Sequence, residues 1–517
     1  MHPETVSTAC SHGVDSQELQ ALMDQMLLCT HHALPNPPVS AHAGLAEPRD
    51  GDRDRDRVSG LPDALLASIV SRLPAKDAAR TAVLSRRWRP IWRAAPLALV
   101  DTHLLPAGGD EIPTHIDRAD SRAVAAAVSR VLAAHPGPFP CVRITCCYMD
   151  MDEDRAQVAL WLQHLAVKGV QELFLINRPW PLALDKPLPP TFFCMAALTR
   201  LFLGFCKFPD TAGLPRGAAF PHLRELALFN VAIAGRDIDA VIARSPVLAV
   251  LCFRGHMRSS LRLRVVSQSL RCVQIHYSDV DSIAVVDAPR LERLTVSGNF
   301  YSCSSIKIGH APVLRLFGLV EPGKDVLQVG STIIKAGTPV NPRAMVPTVK
   351  ILALQVRFGV RNDAKMLITI LKCFPNVETL HIHSKKTTES TGRINLKFWR
   401  ESGAIECIQS HITVMSFHDF RGERNELSFL KFFADSAQML RRVVIVFAKG
   451  CFHSMAEADK VKTLFSGKNA TEGCTLHVCE SAFPEGGGIW DYRRGSESCP
   501  DPFAFVRSST CVLECSV

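Results

Sequence analysis

The 517-residue chain lacks the short motifs of several large function classes. It has no G-x-x-x-x-G-K-[ST] loop to cradle phosphate, no G-x-S-x-G nucleophile turn and no H-E-x-x-H metal helix. Gly486–Gly488 precede no phosphate-binding helix, so no enzymatic constellation is expected. No apolar run approaches the ~18–20 residues a membrane span requires, and the N-terminus has neither the basic nor the apolar region of a secretory signal. No dense Lys/Arg block with interleaved aromatics is present, so no nucleic-acid partner is expected. The 18 cysteines include no C-x-x-C pair. Cys206, Cys252 and Cys272 stand singly in apolar runs, where a thiol behaves as a small hydrophobe. Together these absences predict a cytoplasmic and/or nuclear protein without zinc or other cofactor, in which the formal glycosylation acceptor Asn469-Ala-Thr goes unused.

What is present is ample apolar material: 47% of residues are hydrophobic and 21% charged, enough for two or more domains and a large core. Charge is unevenly placed. Residues 1–57 hold nine acids against four arginines, leaving 41 acids against 55 bases for the remainder. With its Asp–Arg alternation, 1–57 is expected to be a disordered, solvated leader. Its one apolar stretch, Leu19–Leu28, is interrupted by Asp24.

Leu61–Trp92 (LPDALLASIVSRLPAKDAARTAVLSRRWRPIW) reads as three short helices. Leu65, Leu66, Ile69, Val70 and Leu73 recur at helical spacing until Pro74, and Asp77–Leu84 forms a second run. Ser85 is expected to cap a third helix striped by Trp88, Ile91, Trp92 and Ala95. So small a unit cannot enclose all these side chains, so part of its apolar surface is predicted to meet a partner. A self-contained helical bundle is the alternative. The segment resembles the plant F-box, which opens on LP and closes on LSRRW…W. The residues at its motif positions are Leu61, Pro62, Leu65, Leu66, Ile69, Leu73, Pro74, Leu84, Ser85, Trp88 and Trp92. The resemblance implies that these residues dock on a Skp-family adaptor and, through it, on a cullin–RING ubiquitin ligase.

Beyond a predicted helix at Ser121–Ala134, an L-x-x-L-x-L pattern recurs: LTRLFL (198–203), LRELAL (223–228), LAVLCF (248–253), LRCVQI (270–275), LERLTV (291–296), VKILAL (349–354) and VETLHI (377–382). The early steps of 21–25 residues match leucine-rich repeats. One such strand cannot cover its own apolar edge, so neighbours must stack into a solenoid. A parallel sheet is expected on the concave side, with helical or irregular returns such as Asp237–Ala243 and Ala364–Cys373, and an insertion at Glu321–Pro347. Residues from about 395 to 450 are similar to the FBD unit of plant F-box proteins at Trp399, Cys407, Ile408, Phe420, Gly422, Glu426, Phe429, Leu430 and Leu440. The family's usual proline before the cysteine is replaced by Glu406.

The fold expected is thus α/β: a three-helix F-box (58–104), a leucine-rich-repeat solenoid (105–394), an FBD-like terminal unit (395–470) and a loosely ordered tail (471–517). Strand alternation places Arg200, Phe202, Glu225, Phe229, Arg254, His276, Arg293, His381 and His383 on the concave face. They are candidates for binding a client protein, against the alternative of a merely soluble sheet face. His381 and His383 share a face without a nearby third ligand, so no metal is expected there. A substrate receptor of a ubiquitin ligase is the leading expectation, and an interaction scaffold outside ubiquitination the second.

Overall fold

The computed structural model describes residues 16–41, 58–106, 108–178, 187–212, 214, 220–255, 261–297, 304–388, 391–452, 454–465, 474–483, 499–504 and 511–516. The chain divides into two compact units, 1–259 and 260–517, described separately below.

In the first unit the three short helices are Asp63–Val70, Ala75–Thr81 and Trp88–Ala94. Pro62 and Pro74 stand immediately before the first two, where a missing N–H costs nothing. The third begins after Arg87 rather than from a Ser85 cap: Ser85 gives only its carbonyl, to the Trp88 N–H. Arg87 does the positioning instead. Its guanidinium bonds the Asp63 carboxylate at 2.9 Å and the Ser59 and Leu61 carbonyls at 2.5 Å, tying the start of the third helix to the start of the first. Leu66, Val70, Ala78, Trp88 and Ile91 form the interior.

Six parallel strands follow: β1 (Ala98–Val100), β2 (Cys141–Ile144), β3 (Glu172–Ile176), β4 (Arg200–Gly204), β5 (Glu225–Phe229) and β6 (Val250–Arg254). Their register stacks each repeat on the next, so Leu173, Leu201, Leu226 and Leu251 form one buried row. Helices Arg118–Ala134, Asp152–Val167 and Gly235–Ala243 are among the returns. The leader expectation is corrected here: Ser16–Ala33 is a helix, and Met23, Leu27, Leu34 and Val39 are buried. Asp24 interrupts the apolar run in sequence but not in space, because it lies beside Gln20, one turn earlier, which donates to it at 2.8 Å.

In the second unit eight strands run parallel and pair in the order β8 (Cys272–His276), β10 (Arg293–Ser297), β12 (Leu316–Val320), β15 (Ile351–Val356), β16 (Thr379–Ser384), β17 (Val414–Phe420), β18 (Arg442–Phe447) and β19 (Thr475–Glu480). A ninth, β20 (Cys511–Ser516), is antiparallel to β19. Helix Arg361–Cys373 is one return, and Arg424–Ser436 joins β17 to β18. Trp399 is fully buried there, with Phe429 edge-on at 5.0 Å and its indole N–H donated to Ser428 at 3.0 Å.

Three expectations fail in this unit. Between 261 and 333 the returns are strands: β7 (Leu261–Val266), β9 (Val280–Asp287), β11 (Ser305–His310), β13 (Val326–Val329) and β14 (Thr332–Ile333) make a second sheet. β7 shows why: Leu261, Leu263 and Val265 are buried while Arg262, Arg264 and Val266 are exposed, the two-residue period of a half-buried strand. The supposed insertion Glu321–Pro347 supplies β13 and β14 to that sheet. The tail read as loosely ordered contributes β19, β20 and the segment Cys499–Ala504.

Candidate functional site

Two surfaces are candidates. The first is the outer face of the three-helix segment, where Leu65 is 52% exposed, Ile69 42%, Val83 82% and Leu84 65%. Leu65 and Ile69 lie four residues apart on one helix, hence on one face. Fully covering each side chain is worth ~1.5–3 kcal/mol, so the patch favours a protein partner. Among the eleven motif residues, Pro62, Leu65, Ile69, Leu84 and Ser85 are exposed, and Leu61, Leu73 and Trp92 half-buried. Leu66, Pro74 and Trp88 are buried, which corrects their assignment as contact residues. They fill the inside of the helical segment. Trp92 packs edge-on against His135 at 5.1 Å, and His135 bonds the Trp92 carbonyl at 2.9 Å, which fixes the segment to the sheet-bearing part of the unit. Val83 was missed because it falls outside the motif positions, although it is more exposed than any of them in apolar type.

The second surface is the sheet face opposite the leucine rows. Register places Arg143, Phe174, Phe202 and Ala227 in one line across β2–β5, as the alternation of strand side chains requires. The positions are as expected but their exposure is not. Phe202, Phe229, Arg254, His276 and His381 are buried, which corrects their reading as free surface residues. Parallel strands lie ~4.8 Å apart, so large side chains in line cover one another. The Phe174 and Phe202 rings stack at 4.6 Å, with the Arg143 guanidinium 4.5 Å above Phe174. Arg200 is engaged too, bonding Glu225 at 2.8 Å and lying 3.5 Å from Glu172. His276 meets Thr295 at 3.2 Å. The N-terminal segment reaches this line: Arg143 donates to the Pro35 carbonyl at 2.6 Å, and His31 is buried close by. Burial, then the charges of Arg178, His32 and Arg143, pull the His31 ring down to about 3, so it sits there neutral.

In the second unit the same face carries a polar chain. His381 Nε2 meets Asp501 at 2.9 Å, its Nδ1 meets Ser416, and Ser416 Oγ lies 3.0 Å from His418. Burial opposes ionisation of Asp501. The His381 bond and charge, with N–H groups of Phe503 and Ala504, nevertheless hold its carboxyl below the usual range. His383 stacks on His418 at 4.4 Å, and burial followed by the proximity of His381 pulls it down to about 3. Ser416 is buried, and His381 faces the acid through Nε2 and the serine through Nδ1, the reverse of the arrangement in a Ser-His-Asp hydrolase triad. Arg293 donates to the Cys499 carbonyl at 2.6 Å.

Among the described residues no group of three or more His, Cys, Asp or Glu side chains is placed to hold a metal ion, and no helix is long and apolar enough to cross a membrane. A cavity in the first unit beside Met149, Asp150, Arg155 and Phe205 measures about 100 Å³, well below the ~300–1,000 Å³ of small-molecule pockets.

An apolar three-helix face and stacked repeats define a protein-interaction adaptor. Family profiles give the particulars: residues 58–97 match the F-box domain, 158–382 the LRR repeats of the FBD-associated F-box protein At5g56370, and 400–445 the FBD. Three similar proteins come from Arabidopsis thaliana. FBD-associated F-box protein At4g13985 is 28% identical over 272 residues, 51% of this chain and 56% of that protein. F-box/FBD/LRR-repeat protein At5g22660 is 23% identical over 465 residues, 82% of this chain and 96% of that protein. F-box/FBD/LRR-repeat protein At2g04230 is 22% identical over 431 residues, 75% and 88%. The chain thus spans little more than half of the first and most of the other two. It carries F-box, LRR and FBD domains in this order and is similar to the F-box/FBD/LRR-repeat proteins.

Proposed function

We propose that this protein is the substrate-recognition subunit of an SCF-type cullin–RING ubiquitin ligase, acting in the cytoplasm or nucleus. The F-box holds a Skp-family adaptor and the repeat units hold a client. The observation that carries the reading is the exposed set Leu65, Ile69, Val83 and Leu84 on a segment matching the F-box. Such a chain contributes proximity rather than chemistry: tethering a client beside a recruited conjugating enzyme raises their effective concentration to the order of mM without any nucleophile of its own.

The test targets surface residues only. Leu65→Asp with Ile69→Asp is expected to weaken adaptor binding at least 100-fold in co-purification and calorimetry, with the circular dichroism melt of the chain unchanged. Adaptor binding that survives both substitutions overturns the assignment.

A further inference from the structure

The second unit shows what its sheet face binds, because the chain's own segment Cys499–Ala504 is seated on it. Pro500 and Pro502 bracket Asp501, and fixed φ at both leaves little freedom to lose on docking. Asp501 Oδ1 accepts the Phe503 N–H at 3.1 Å, a tight Asx turn that directs the acid and the ring to the same surface. The ring enters an apolar seat formed by Leu316 and Ala353 with Ile351 beside them, and only 7% of Phe503 remains exposed. His381 reads both groups: its Nε2 takes the carboxylate at 2.9 Å, and its ring lies 5.7 Å from the Phe503 ring. Arg293 fixes the backbone at Cys499. Register brings these residues together, since Arg293 pairs with Leu316, Leu316 with Ile351, and Ala353 with His381 across β10, β12, β15 and β16.

We propose that this face is a peptide-binding site for a client segment carrying a carboxylate two residues before an aromatic ring, and that Asp501–Phe503 occupies it as an internal stand-in until such a client displaces it. The proposal deepens the receptor reading given above by naming what the receptor recognises. A tethered occupant is present at an effective concentration on the order of mM, so a weak client is excluded and a tight or multivalent one succeeds.

The test uses the full chain and a fluorescent, end-blocked hexapeptide, Ser-Pro-Asp-Pro-Phe-Ala, copying residues 499–504 with serine for the cysteine. The Asp501→Ala/Phe503→Ala chain is expected to bind it at least tenfold more tightly than the unaltered chain. Replacing the peptide's Asp or Phe by Ala should cost at least tenfold, as should adding His381→Ala to the opened chain. Asp501→Asn, which leaves Phe503 in place, should give a smaller gain of about threefold and serves if the double variant does not fold. The proposal is overturned if neither opened chain gains affinity, if the Ala-substituted peptides bind equally well, or if the unaltered chain binds as tightly as the opened one. Peptide affinity is read without the adaptor and adaptor binding without the peptide, so failure of this inference and failure of the receptor reading are told apart.

Discussion

The three-helix segment and the sheet face of the second unit handle apolar surface in opposite ways. The former leaves Leu65, Ile69, Val83 and Leu84 in solvent, while the latter covers its apolar seat with Phe503 from the same chain. Size accounts for the difference. A helical segment of about 40 residues has too little interior for its own leucines, whereas stacked repeats build a continuous interior on one face and bring residues from distant positions to the other. An open apolar face is suited to a constitutive partner. A face closed by its own chain is suited to a partner that must compete.

Substitutions at an inner and an outer position of the helical segment separate its core from its free face. Trp88→Ala removes a buried ring and is expected to cost ~3–5 kcal/mol of unfolding free energy. Leu65→Ala, on the first helix, should leave stability within ~0.5 kcal/mol while weakening the adaptor complex. Denaturant melts of both variants decide it; equal destabilisation would mean that Leu65 belongs to the core and that the patch is not a free surface. Trp399→Ala is the counterpart in the second unit, with a similar ~3–5 kcal/mol expected from the loss of its packing on Phe429 and its bond to Ser428.

A smaller effect is expected at Arg178 in the first unit. This buried guanidinium donates to the carbonyls of Thr145 at 2.8 Å, Thr114 at 3.1 Å and Pro113, holding the strand ends to the preceding loop. Arg178→Met keeps the bulk and removes every donor, so ~2–3 kcal/mol should be lost for acceptors left unmet in a dry site. A melt unchanged by the substitution would show that water replaces the guanidinium.

How much of this was legible in sequence follows the range of each signal. The leucine periodicity of Leu198–Leu203 and its successors is local, and it placed the strands and their inward rows. The helical spacing of Leu65, Leu66, Ile69 and Val70 was equally readable, but not which of them face solvent. What could not be read was anything set by contacts between distant positions. Phe202 and His381 were put on the right face, but their burial depends on neighbouring strands and, for His381, on Asp501, 120 residues away. Leu19–Leu28 stands out as apolar, but its polar flanks look like a linker, and Met23 and Leu27 find cover only in the folded unit. β7 hid inside a repeat: its alternating Leu–Arg pattern is a strand signal that the leucine repeat overshadowed.

Glu426 gives the smallest effect and tests whether the FBD-like unit is as dry inside as its packing implies. Its carboxyl is buried and accepts bonds from Ser384 at 2.5 Å and from the N–H groups of Arg421 and Glu423 at 3.0 and 2.9 Å. Burial pushes it up to about 7 from an ordinary 4.5, against the pull of those donors. The native state therefore holds this proton more tightly than the unfolded chain does. The contribution to stability is full below pH 4.5 and is lost as pH rises through about 7. Glu426→Gln cannot titrate, so the stability of the unaltered chain relative to the variant should fall by ~1–3 kcal/mol between pH 4.5 and 7.5. Urea melts of both chains across that window read the difference directly, and parallel pH curves would mean that water reaches the carboxylate and that the interior of this unit is open.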